Sequence, residues 1–306
     1  MRQLLKNRRA GSFLGVLILL TGLVACGEVD DTTDDLETSA AALTDGAAQT
    51  ATTKDNQDIA FKVYGQGEQD IVLLHGWMVS SIVYDELIDY FSGDDYRVIV
   101  PDLRGTGLSD KPDGGYSLEA YLRDLEAVVE ASGATDYVLV GHSMGGAVAQ
   151  RAAARFDGDL RGLVLLSPVP ASGFPLPDDV YGLFSAAADD ADLKRFILLI
   201  SSIDMDPDTL EAIAADADNI PPKAVLQSLD AWVEADFLDM VSQISAPTRV
   251  VVSDDPFMPV EFLQAAVADP IPGAHLEYFP GAGHYLQVEA PEQTAAKIID
   301  FVDGLP

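Results

Sequence analysis

An apolar run, Tyr137–Val140, leads directly into Gly141-His142-Ser143-Met144-Gly145-Gly146, and an alanine-rich helical pattern, Ala147–Phe156, follows. This junction constrains the fold more than any other stretch. A strand that turns into a helix within so few residues forces the serine between them into a strained backbone conformation with its hydroxyl exposed. The glycines at 141, 145 and 146 remove side chains that would otherwise collide at such a turn. The helix that follows directs the partial positive charge of its N-terminus toward the turn, where a developing oxyanion would be stabilised. Ser143 is therefore the candidate nucleophile.

The rest of the body repeats the strand–helix alternation. Ile59–Tyr64 and Asp70–Leu74 read as strands joined at the Gly65-Gln66-Gly67 turn. Arg97–Val100, Leu163–Leu166, Thr248–Val252 and Leu276–Phe279 read as further strands, each running into a turn. Leu118–Ser132 and Pro291–Val302 carry helical patterns. Continuous apolar strands separated by helices predict an α/β fold with a mostly parallel, doubly wound sheet buried on both faces. Function in such sheets collects at the carboxyl ends of the strands. The interval 171–245 breaks the rhythm: it has no clear strand, and prolines at 175, 177, 207, 221 and 222 divide short helical stretches. Between residues 171 and 240 it carries 15 acidic and 3 basic side chains. It reads as a helical lid inserted between two strands, and its apolar residues Phe184, Phe196, Ile197, Leu198, Leu199, Trp232 and Phe237 are available to line a pocket or to pack on the sheet.

Several separate stretches resemble the α/β-hydrolase superfamily, in particular its lid-bearing esterase, cofactor-free haloperoxidase and carbon–carbon hydrolase branch. They are Leu74-His75-Gly76-Trp77, Pro101-Asp102-Leu103-Arg104-Gly105-Thr106-Gly107-Leu108-Ser109, Gly141–Gly146, Asp255-Pro256-Phe257-Met258-Pro259 and Gly281-Ala282-Gly283-His284. They occur in the superfamily's order and cover about residues 58–306 outside the lid.

The resemblance implies a Ser-acid-His triad in that chain order. His284, in a Gly-Ala-Gly-His loop after the last strand, is the implied base, while His75, His142 and His275 are expected to be structural. Asp254 and Asp255 both follow the strand Thr248–Val252. The superfamily places its acid four residues before a proline, which selects Asp255 with Pro259, although a shift of one residue would exchange the two. Ser253 stands where relatives carry glycine, and this loop is one residue short. The oxyanion donors implied are the backbone N–H groups of Met144 and Trp77. Asp102 and Arg104 are expected to form a structural ion pair, and Thr106 stands where relatives often carry histidine.

A serine nucleophile sets the chain apart from the dehalogenases and epoxide hydrolases of this fold, which use aspartate. Ser-His-Asp chemistry implies acyl transfer onto water through an acyl-enzyme, with no metal, nucleotide or flavin cofactor. The expected substrate is a small neutral carboxylic ester or lactone. A haloperoxidase or perhydrolase activity, which the Leu166-Ser167-Pro168-Val169-Pro170 run loosely resembles, and a membrane-displayed ligand sensor with a slow triad are the alternatives.

Charge narrows the partners. Of 306 residues, 50 are acidic and 18 basic, for a net charge of −32; a polyanion such as nucleic acid is repelled by this field. One cysteine leaves no disulfide framework, and four histidines make a multi-histidine metal site improbable.

That cysteine sits in an address. Arg2, Lys6, Arg8 and Arg9 precede the short apolar run Phe13–Val24, and Leu23-Val24-Ala25-Cys26 resembles the lipobox of bacterial lipoproteins. The resemblance implies a signal peptide over 1–25 and a lipidated Cys26. The exported protein would then be held in the cell envelope, and Gly27 after the cysteine favours the outer membrane. Removing the four basic and no acidic residues of 1–25 takes the charge from −32 to −36. Residues 26–54, acidic and poor in apolar side chains, read as a tether of about 30 Å root-mean-square span, with the hydrolase-like domain over 55–306. Oligomeric state has no signature in the sequence.

Overall fold

Among the described residues, eight strands lie side by side in one sheet: β1 (Gln49–Thr52), β2 (Asp58–Tyr64), β3 (Gln69–Leu74), β4 (Tyr96–Pro101), β5 (Tyr137–His142), β6 (Leu160–Leu166), β7 (Thr248–Val252) and β8 (His275–Tyr278). Their spatial order is β1-β2-β4-β3-β5-β6-β7-β8. The computed structural model describes residues 46–91, 95–156 and 160–306; the expected signal peptide, Cys26 and most of the expected tether lie outside them. β1–β2 and β2–β4 pair antiparallel, and all pairs from β4 to β8 are parallel.

Successive side chains of a strand point to opposite faces, and both faces here are apolar. Val72, Leu74, Ile99, Leu139, Leu163, Leu165, Val250 and Val252 belong to one core, while Ile71, Leu73, Val98, Val100, Val138, Val140, Val164, Leu166 and Val251 belong to the other. The helices that cover them are α1 (Asp85–Ile88), α2 (Leu118–Ser132), α3 (Met144–Arg155), α4 (Asp178–Ala186), α5 (Ala191–Ser201), α6 (Pro207–Ala217), α7 (Pro222–Val233), α8 (Val260–Leu263), α9 (Leu286–Glu289) and α10 (Pro291–Asp303). Leu122 and Leu125 of α2 and Val148 of α3 pack into the first core, and Leu87 of α1 and Ile298 of α10 into the second.

The structure moves one expected boundary. The tether was expected to run to residue 54, yet β1 lies inside it, with Gln49 opposite Phe61 and Thr52 opposite Asp58. Its sequence, Gln-Thr-Ala-Thr, has no apolar run because only Ala51 is buried; backbone pairing and the Thr52 Oγ1–Asp58 Oδ1 bond at 2.7 Å hold the rest. The Gly65-Gln66-Gly67 turn joins β2 to β3 as expected, and β4 lies between those two strands in the sheet. The link crosses the end of β4, where the Gly67 N–H donates to the Tyr96 carbonyl at 3.1 Å. A Cβ at Gly67 would sit 2.1 Å from the Asp95 carbonyl carbon, so only glycine passes there.

Helices α4 to α7 form an insertion between β6 and β7. Its prolines start helices: Pro207 and Pro222 occupy the first positions of α6 and α7, where a missing N–H costs nothing.

Candidate active site

Ser143 joins β5 to α3 with φ 53° and ψ −118°. A non-glycine residue held at positive φ costs on the order of 1–3 kcal/mol and persists only where its surroundings fix it. Here the Ser143 N–H donates to Leu166 at 3.1 Å, and its carbonyl accepts from Gly146 and Val169, each at 2.9 Å. The turn also packs without slack: a Cβ on Gly145 would lie 2.5 Å from the carbonyl oxygens of Leu74 and His75. Glycine there lets α3 press against the end of β3 and leaves Ser143 at the rim of the sheet.

Asp255 and His284 meet in the loops after β7 and β8. Asp255 Oδ2 lies 2.6 Å from His284 Nδ1, and Oδ1 accepts from the amides of Phe257 and Met258 at 2.8 and 3.0 Å. Burial pushes the Asp255 carboxyl up, but the neighbouring His284 and the two amides outweigh it and hold the group below the ordinary aspartate value. Asp254 faces elsewhere. Its carboxylate accepts from the Tyr278 hydroxyl at 2.7 Å and the Gly281 amide at 2.9 Å, bracing the turn after β8. Between the two adjacent aspartates, Asp255 is the partner of the imidazole.

The backbone of His284 is held on both sides. Its N–H donates to the Ser201 carbonyl at 2.8 Å, and its carbonyl lies 2.9 Å from His142 Nε2. The unusual Ser253 has a place in this arrangement, since its hydroxyl donates to the Gly283 carbonyl at 2.8 Å.

His142 and His75 are buried within the fold. A carbonyl only accepts, so His142 carries its proton on Nε2; its Nδ1 is buried without a partner. Burial first, and the adjacent His284 second, push its pKa well below the ordinary histidine value. His75 is fully buried, with Nδ1 2.9 Å from the Gly76 carbonyl and Nε2 accepting from the Leu103 amide at 3.0 Å. Thr106 Oγ1 packs 3.1 Å from the same Nε2. His275 is exposed at the start of β8.

The two expected oxyanion donors flank Ser143. Met144 is the first residue of α3, where an N–H has no acceptor within its own helix. Gly76 packs on the serine closely enough that a Cβ there would lie 3.0 Å from Ser143 Cβ, which brings the Gly76–Trp77 segment alongside. The Trp77 side chain runs into the insertion, donating Nε1–H to the Val225 carbonyl at 2.9 Å, stacking on Phe184 at 5.3 Å and meeting Trp232 edge-on at 6.0 Å.

Ser143 and His284 line one cavity of about 50 Å³ with Trp77, Phe184, Ile197 and Trp232, room for a few waters at most. Of the insertion residues expected near a pocket, Phe184, Ile197 and Trp232 reach it, whereas Phe196 and Leu199 face outward, 44% and 49% exposed. Leu198 and Phe237 are buried in the cores. Sequence reasoning missed Phe174, Leu176, Ser201 and Tyr285, which also line the cavity. Only Tyr285, adjacent to His284, carried a positional signal. A wider groove of about 660 Å³, bounded by Gly65, Arg97 and Thr135, lies at the amino ends of β3 to β5 and holds no serine–histidine pair.

The expected Asp102–Arg104 pair is not formed. Asp102 closes its own loop, accepting from the amides of Ser81 and Leu108, both at 2.9 Å. Arg104 instead turns toward α2 and bonds Asp124 at 2.6 Å and Asp55 at 2.7 Å. Among the described residues no cluster of His, Cys, Asp or Glu is arranged to hold a metal ion.

The chain has relatives among known proteins. The model of a family described as "Alpha/beta hydrolase family" matches residues 71–297. The chain is 29% identical over 275 residues to the non-heme chloroperoxidase of Streptomyces lividans, covering 83% of this chain and 99% of that protein. It is 26% identical over 270 residues to the bifunctional esterase/perhydrolase DCH of Acinetobacter calcoaceticus, covering 82% and 98%. A solved structure described as "Est816 as an N-Acyl homoserine lactone degrading enzyme" superposes with a TM-score of 0.71 at 28% identity, covering 83% of this chain and all of that one.

Proposed function

The chain belongs to the alpha/beta hydrolase family, and on that premise we propose that it is a serine hydrolase of small neutral carboxylic esters or lactones. The observation that carries this reading is the 2.6 Å pairing of Asp255 with His284 on the wall of the cavity that also holds Ser143.

In the proposed reaction Ser143 Oγ attacks the substrate carbonyl while His284 Nε2 takes its proton. Asp255, bonded to Nδ1–H, fixes the tautomer and stabilises the imidazolium that forms. The oxyanion receives the N–H groups of Met144 and Trp77, each lowering the barrier by roughly 3 kcal/mol. The tetrahedral adduct collapses with loss of the alcohol, protonated by His284, to leave an acyl-Ser143. Water, deprotonated by His284, then attacks that ester and frees the acid and the serine.

Substrate class follows from the cavity and the field. Aromatic walls around about 50 Å³ suit a short apolar acyl group, and a chain of charge −32 repels anions. The insertion, whose aromatic residues close the cavity, serves as its lid. Lactones are included because the Est816 relative is described as degrading one.

A second reading uses the same acyl-enzyme. The chloroperoxidase and esterase/perhydrolase relatives support hydrogen peroxide as an alternative acceptor, which would release a peracid in place of the acid.

We also propose that the protein is exported and anchored through a lipidated Cys26 in the cell envelope, with residues after it as a tether. Replacing Cys26 with Ala should abolish incorporation of a palmitate analogue and move the protein to the soluble fraction. Among the described residues no helix is long and apolar enough to cross a membrane.

The enzyme reading is tested with purified protein on p-nitrophenyl acetate, p-nitrophenyl butyrate and simple lactones. Turnover that vanishes in Ser143→Ala supports it; no turnover on any of them, or turnover that survives the substitution, overturns it.

A further inference from the structure

One of the contacts that hold His284 comes from the helical insertion, through the Ser201 carbonyl at the end of α5. The residues that follow leave the helix, and the N–H groups of Ile203 and Asp204 both donate to Glu289 Oε2, at 2.7 and 2.8 Å. Glu289 ends α9, five residues beyond His284. Its other oxygen, Oε1, is buried without a partner. The remaining member of this knot is Gly283: a Cβ there would lie 2.7 Å from the Ser201 carbonyl oxygen, and 2.9 Å from both Glu289 Oε1 and the Ile203 nitrogen. The histidine loop, the carboxylate and the 201–204 turn are therefore in contact with no room for a methyl group.

A carboxylate that leaves one buried oxygen unpaired gives up part of the stability its two hydrogen bonds supply. What the arrangement does secure is geometry. With the turn fixed, the Ser201 carbonyl has one position relative to the His284 amide, and the imidazole inherits it.

We infer that Glu289 is a positioning residue: by capping the Ile203 and Asp204 amides it holds the Ser201 carbonyl of the insertion against the His284 backbone and so sets the imidazole relative to Asp255 and Ser143. The inference rests on the serine-hydrolase reading of the site. It makes the end of α5 part of the mount for the base. Any opening that admits substrate then moves the aromatic wall at Phe184 and Trp232, and leaves the 201–204 turn in place.

The test compares kcat and KM of the full chain with its Glu289→Ala and Glu289→Gln variants on p-nitrophenyl acetate. Glu289→Ala should lower kcat at least about tenfold with KM within about twofold, because misplacing a catalytic group by a fraction of an ångström slows chemistry without weakening binding. Gln keeps an acceptor for both amides, so Glu289→Gln should retain kcat within about threefold. A merely structural residue would show neither the kcat-only loss nor the rescue. If thermal melts show that Glu289→Ala is unfolded, Glu289→Asp, which withdraws the acceptor by one methylene, gives the same kcat-only reading. Unchanged kcat in the folded variants, a loss confined to KM, or a Gln variant as impaired as Ala overturns the inference. Ser143→Ala separates this from the reading beneath it: an inactive Ser143→Ala beside a fully active Glu289→Ala sinks the inference alone, while an active Ser143→Ala sinks both.

Discussion

His142 Nε2 lies 2.9 Å from the backbone carbonyl of His284, so the residue beside the proposed nucleophile braces the proposed base. The ring also packs 4.9 Å from the His284 ring and 5.3 Å from Tyr285. Replacing His142 with Phe keeps the packing and removes the donor, and should lower kcat about tenfold to a hundredfold. His142→Gln, which can still donate to the carbonyl, should recover most of that loss. Steady-state kinetics on a short-chain ester decide it, and equal activity in His142→Phe and the unmodified protein would show the bond to be idle.

Acid stability follows from the same side chain. Burial holds His142 and His75 below their unfolded value of 6.5. Below that value the unfolded chain binds protons that the folded chain refuses, so stability falls as pH drops, by up to about 1.4 kcal/mol per pH unit for each histidine. Asp255, held below the ordinary aspartate value of 3.8, contributes stability that is lost only at lower pH. Denaturant melts between pH 7 and 4.5 should therefore lose more stability on acidification in the unmodified protein than in His142→Gln. A slope unchanged by that substitution contradicts the assignment of a buried neutral His142.

Phe184 stacks on Trp77 and meets Phe257 edge-on at 6.2 Å, closing a cavity of about 50 Å³. Phe184→Ala should shift the preferred p-nitrophenyl ester from acetate toward longer acyl chains, at a cost of about 3 kcal/mol in stability. A chain-length profile that does not move would place the acyl group elsewhere.

Arg104 is 2% exposed and its partner Asp124 is fully buried. Burial pushes the Asp124 carboxyl up despite Arg104 beside it. Removing Asp124 leaves the buried guanidinium with only the partly exposed Asp55 as a counter-charge, so Asp124→Ala should destabilise by about 3 kcal/mol. Below the melting transition kcat/KM should be unchanged, because neither residue lines the cavity. Loss of activity in folded Asp124→Ala would tie this ion pair to the geometry of the site.

The middle of the sheet was legible because β3 to β7, buried on both faces, each carry an unbroken run of Val, Ile and Leu. The turn at Ser143 was legible because its glycines are demanded by contacts as short as 2.5 Å. The resemblance to the superfamily, whose acid stands four residues before a proline, pointed to the aspartate that pairs with His284. What escaped depends on tertiary placement. β1 buries one alanine and leaves no pattern. Arg104 sits two residues from Asp102, but the loop turns the two side chains apart. Ser201 reaches His284 through a backbone carbonyl, which every residue possesses, and so no side-chain signal could mark it.

Activation of Ser143 by His284 and Asp255 should make its hydroxyl selectively reactive toward a phosphorus electrophile. The most direct measurement is reaction of the folded protein with a fluorophosphonate, followed by mass mapping of the adduct. A single adduct is expected on Ser143, absent after denaturation, and strongly reduced in His284→Ala. Labelling at another residue, or labelling of Ser143 that persists undiminished in His284→Ala, would contradict it.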